Sequence, residues 1–60
     1  MRRRKAWLEG VVFGATGKHR SRLELPKLVE IYQRGAAFGR ANVNSPYVLS
    51  VIQQQTQRQA

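Results

Sequence analysis

Leu25, Leu28, Val29 and Tyr32 recur at i, i+3, i+4 and i+7, the spacing that lays one apolar stripe along a helix. Lys27, Glu30, Gln33 and Arg34 fall largely off that stripe. Pro26 near the front and Gly35 at the rear follow the usual asymmetry of helix termini. Ser21-x-x-Glu24 matches a capping box just ahead of the stripe. These signals predict an amphipathic helix over about residues 22–35, starting between 22 and 26. A helix this short is marginal in water, so its stripe must bury against another element.

Upstream, Trp7 to Gly14 reads as a strand. Val11, Val12 and Phe13 form a short continuous apolar run flanked by glycines, as in a buried parallel strand. Periodicity alone leaves a helix open for so short a run; two valines and a phenylalanine favour the strand. Gly14-Ala-Thr-Gly17-Lys-His-Arg then reads as a glycine loop. Downstream, Ala36 to Ala41 is expected to be irregular or extended, and Asn42 to Ser45 to turn. Ser45-Pro46 opens a short C-terminal helix over about residues 46–57, with Val48, Leu49 and Ile52 on its apolar face and fraying through Gln53 to Ala60. The predicted class is therefore an α/β fragment: one N-terminal strand, a glycine loop and two helices. Residues 1–6 are expected to form a basic disordered tail, and residues 7–60 a single partial domain.

Sixty residues without cysteine allow one small domain and neither a disulfide nor a cysteine-based zinc site. A domain of this size buries only about 60% of its unfolded surface. Eleven Lys and Arg against three acids give a formal charge of +8, which favours nucleic acid, ribosomes or anionic membranes as nonspecific partners. The cations cluster at Arg2 to Lys5 and again at Lys18, Arg20 and Arg22. No apolar run approaches the ~18 residues of a membrane span. No secretory signal is read, a mitochondrial-type leader has only the basic start in its favour, and a cytoplasmic setting is expected.

Strand, glycine loop and helix is the order in which phosphates meet a helix N-terminus, and Lys18, Arg20 and Arg22 are the candidate anion or nucleic-acid contacts. The loop fits neither standard fingerprint. A Walker A loop needs four residues between its glycine and Gly-Lys, and only two stand here. A dinucleotide fingerprint needs glycine where Val12 stands. A tight surface turn with solvated cations is the simpler reading. His19 is the one imidazole and has no carboxylate near it in sequence except Glu24. Ser21 and Ser45 read as caps rather than nucleophiles. No catalytic residue and no metal ligand is assigned.

Trp7-Leu-Glu-Gly-Val-Val-Phe-Gly14, Ser21-Arg22 and Pro26-Lys-Leu-Val-Glu-Ile-Tyr-Gln-Arg-Gly35 together resemble the C-terminal part of zinc-type medium-chain alcohol dehydrogenases. The similarity continues through Val43, Tyr47, Leu49 and Ile52. It implies a fragment of an NAD(P)-dependent oxidoreductase, with the backbone at Val11 and Phe13 facing the nicotinamide. NAD(P) and zinc belong to the parent family. Its zinc ligands, proton relay and glycine fingerprint have no counterpart in these residues, so the chain alone is expected to bind no cofactor and turn over no alcohol. Expected partners are the remainder of a dehydrogenase or a second copy, since an isolated strand–helix unit leaves a sheet edge open. The departures are a longer loop before Ser21, an extra residue before Gly10, and Ala36-Ala37-Phe38-Gly39 after the helix.

Two other readings stand beside it. Val12-Phe-Gly-Ala-Thr-Gly-Lys18 resembles the nucleotide loop of atypical short-chain dehydrogenases, with Arg20 where the third glycine should be. The other class is a small basic nucleic-acid- or ribosome-binding protein, in which Tyr32, Phe38 and Tyr47 could stack on bases or, alternatively, belong to the core.

Overall fold

The structure, a computed structural model, describes residues 2–57. They form three helices: α1 (Arg3–Thr16), α2 (Pro26–Ala41) and α3 (Pro46–Gln57). The α/β expectation is overturned, because no strand occurs among the described residues. Trp7 to Gly14, read as a strand, is the body of α1. Among the described residues there is thus no sheet edge, the feature on which the expectation of a second copy was based. Arg3 to Lys5, expected in a disordered tail, form the first turn of α1, and Ala6 is fully buried.

The physical reason lies in where α1 sits. It is the central helix, packed against α2 on one side and α3 on another. Val11 and Val12 form a buried cluster with Val48 and Val51 of α3, with Trp7, Leu8, Ala15, Phe38 and Ile52 packed around it. A helix covered on two sides keeps no polar stripe, so its apolar residues run on without helical periodicity.

Four glycines set how closely α1 and α2 approach. A Cβ at Gly10 would lie 2.2 Å from the Tyr32 carbonyl oxygen, and one at Gly14 only 1.8 Å from that of Ala36. From the other side, Cβ atoms at Gly35 and Gly39 would lie 2.4 and 2.2 Å from the carbonyl oxygens of Trp7 and Val11. Backbone therefore meets backbone, as small residues four apart allow. Weak Cα–H···O contacts are the interaction such an approach makes. The matched positions climb together along both helices, so α1 and α2 run parallel.

Parallel helices require a long return. α1, at 14 residues, is about 21 Å long. Residues 17–25 form a strap that runs back along it, within the ~30 Å that nine extended residues can span. The strap starts where Gly17 adopts a left-handed φ of 71° and donates its N–H to the Phe13 carbonyl at 2.7 Å, closing α1. α2 opens at Pro26 with Leu25 as its N-cap residue and no side-chain cap, so the capping box does not form. It passes through Gly35 and continues over Ala36 to Ala41, the stretch expected to be irregular. Asn42 ends it, donating from Nδ2 to the Phe38 carbonyl at 2.9 Å. α3 opens with the Leu49 N–H donating to the Ser45 carbonyl. The expected fraying through Gln53 to Ala60 falls partly outside the described residues.

Candidate anion-binding groove

Between the strap and α2 lies an open groove of about 760 Å³. Phe13, Tyr32 and Ala36 help to form its apolar lining, and Arg20, Arg22 and Arg40 supply its charge. Among the described residues no carboxylate lines it. Tyr32, Ala36 and Arg40 stand four apart on α2 and so share one helix face.

One hydrogen-bonded chain fixes the strap. The Ser21 N–H donates to the Tyr32 hydroxyl at 3.1 Å, and the Ser21 hydroxyl donates to Glu9 Oε1 at 2.5 Å. Tyr32 is buried and stacks on Phe13, with ring centroids 6.0 Å apart and planes 22° apart. Arg20 and Arg22 flank Ser21, so these two bonds hold both guanidinium-bearing residues at the groove. The second oxygen of Glu9 is buried without a partner among the described residues. Replacing Ser21 by alanine removes the hydroxyl and leaves both Glu9 oxygens short of a donor. Ser21→Ala is expected to cost about 1–3 kcal/mol, and Tyr32→Phe about 1 kcal/mol. Urea unfolding monitored by circular dichroism measures both.

The structure separates the residues singled out in the sequence. Arg20 and Arg22 line the groove; Lys18 is exposed and outside it. Val11 is fully buried in α1, and its carbonyl lies against Gly39. Phe13 presents its ring to the groove, while its carbonyl accepts from Gly17. Both backbone positions thus lie within or at the end of a helix rather than on a strand. Gly14 and Gly17 do not form a phosphate loop: Gly14 sits in the helix contact, and Gly17 caps the carbonyl end of α1, the end that disfavours anions. His19 is exposed on the strap with a φ of 63°. Of the aromatics proposed for base stacking, Tyr32 is buried and Phe38 packs between Trp7 (5.6 Å) and Tyr47 (5.9 Å). Tyr47 alone of the three is exposed.

Sequence reasoning missed Arg40 and the strap-holding role of Ser21. The i, i+4, i+8 series Tyr32, Ala36, Arg40 was the available signal for the first. Among the described residues the one ion pair is Arg34–Glu30, on the exposed face of α2 at 3.1 Å. Arg20, Arg22 and Arg40 are in no ion pair among the described residues.

No helix among the described residues is long and apolar enough to cross a membrane. No family model matches the chain, and no curated protein or solved structure was found to be similar to it.

Proposed function

We propose that this chain is a small basic helical module that binds nucleic acid through its phosphates, without reading sequence, in a cytoplasmic setting. The observation that carries the reading is the groove rimmed by Arg20, Arg22 and Arg40, with no carboxylate among the described residues that line it. Guanidinium groups match phosphate oxygens in a bidentate way. Trp7, Phe13, Tyr32 and Phe38 are engaged with one another inside the fold or with Tyr47, which leaves little aromatic surface for stacking on bases. Contacts to phosphate carry affinity but no sequence information.

The test is binding of a labelled 20-base-pair DNA duplex across a salt series, with two unrelated sequences. The expected slope of log Kobs against log[salt] is about −3 or steeper, from 0.9 per phosphate engaged. The two sequences should bind alike. A salt-independent affinity, or a strong preference for one sequence, contradicts the reading.

The oxidoreductase-fragment reading rests on the order of residues in the chain. The groove geometry adds nothing to it, since the strand that would place Val11 and Phe13 at a nicotinamide is α1.

A further inference from the structure

A second basic cleft opens beside the first. Arg2, Arg4, Lys5 and Leu8 of the α1 end face Gln54 and Gln55 of α3 across it, and Glu9 lines it. Glu9 is also the residue whose Oε1 accepts from Ser21, and Ser21 lines the arginine groove. One hydrogen-bonded pair therefore separates two sets of three cations. The cleft set carries no ion pair among the described residues, so Glu9 is the one acid at the junction. From this juxtaposition we infer that the two clefts form one bipartite site, laid out for a single nucleic-acid strand that crosses the Glu9–Ser21 junction. Phosphates of the strand lie on Arg2, Arg4 and Lys5 at one end and on Arg20, Arg22 and Arg40 at the other. Glu9 repels a phosphate at the junction, so the strand straddles it with phosphates to either side. The inference rests on the nucleic-acid reading and adds to it the length of the ligand and the path it takes.

The test uses the full chain with a single-stranded twelve-nucleotide DNA and with a dinucleotide. Engaging six phosphates predicts a salt slope of about −4 for the twelve-mer, at 0.7 per phosphate. Replacing Arg2, Arg4 and Lys5 together by glutamine should reduce that slope by about 2, while the dinucleotide, too short to cross the junction, should show a slope of no more than about −1 with either protein. Glutamine is a good helix former, and removing cations from the positive end of α1 favours the helix, so the variant should keep its fold. Glu9→Gln keeps an acceptor for Ser21 and removes the charge; it should tighten the twelve-mer several-fold. If the triple variant keeps the wild-type slope, or Glu9→Gln leaves affinity unchanged, the bipartite path is overturned while the groove reading stands. If neither oligonucleotide binds the wild-type chain in a salt-dependent way, the nucleic-acid reading falls as well.

Discussion

Replacing Gly14 by alanine is expected to abolish the cooperative thermal melt of this protein. In an exposed helix the same change would stabilise by about 1 kcal/mol, because alanine is the better helix former. At Gly14 the added Cβ would lie 1.8 Å from the Ala36 carbonyl oxygen and 2.5 Å from its carbon. Both atoms are backbone, so no side-chain rotation relieves the overlap. α1 and α2 must separate along their contact, and the backbone packing that the glycines allow is lost. Overpacking a core costs about 1–3 kcal/mol where side chains can adjust, and more where they cannot. A single core in a domain of this size supplies roughly 3–5 kcal/mol in total. Gly17→Ala is the contrast. Nothing lies within 4 Å of its added Cβ, and only the left-handed φ of 71° resists it. That change should cost about 1–2 kcal/mol and lower Tm by several degrees with the melt still cooperative. Far-UV circular dichroism distinguishes the two. A Gly14→Ala protein that melts at or above the wild-type Tm contradicts the close parallel packing.

The second large effect is on binding. Replacing Arg20, Arg22 and Arg40 together by glutamine should flatten the salt slope for duplex DNA by about 3, from 0.9 per phosphate contact. Extrapolated from a 1 M reference, that difference corresponds to a loss of roughly several hundred-fold at 0.1 M salt. The three side chains lie on the groove and pair with no carboxylate among the described residues, so the fold should survive their loss. Arg34→Gln serves as the control. Arg34 has one charge like the others but is paired with Glu30 outside the groove, and its replacement should shift affinity only slightly. Equal losses for Arg34→Gln and for each groove arginine would mean that net charge, not the groove, governs binding.

The two features behind these predictions differ in how legible they are in the sequence. The clustering of Arg20 and Arg22 is visible directly, and both reach the groove. Arg40 is not, because it falls in a stretch that reads as irregular once Gly35 is taken as a helix stop. Gly35 instead lies inside α2, where its missing side chain admits the backbone of α1. The same substitution of meaning affects Gly10 and Gly14. Flanking a valine run, they suggest strand ends; spaced four apart and echoed by Gly35 and Gly39, they mark two helices in contact. Local pattern cannot separate these readings, because α1 is buried on two sides and shows no polar face. The stripe on α2 is more legible: Leu28 and Tyr32 are buried as expected, although Leu25 lies outside the helix and is 61% exposed. Ser21 resembled a cap because capping is local. Its actual partners, Glu9 and Tyr32, are 12 and 11 residues away and follow from the return path of the strap.

The most direct test of the binding site is a titration of the ¹⁵N-labelled chain with the twelve-nucleotide DNA, followed by amide chemical shifts. Dispersed helical signals are expected in the free protein. On binding, the largest shifts should map to the strap around residues 20–23, to the last turn of α2 at Arg40, and to the start of α1. Shifts confined to α3, or none at concentrations where anisotropy reports binding, would contradict the placement of the site.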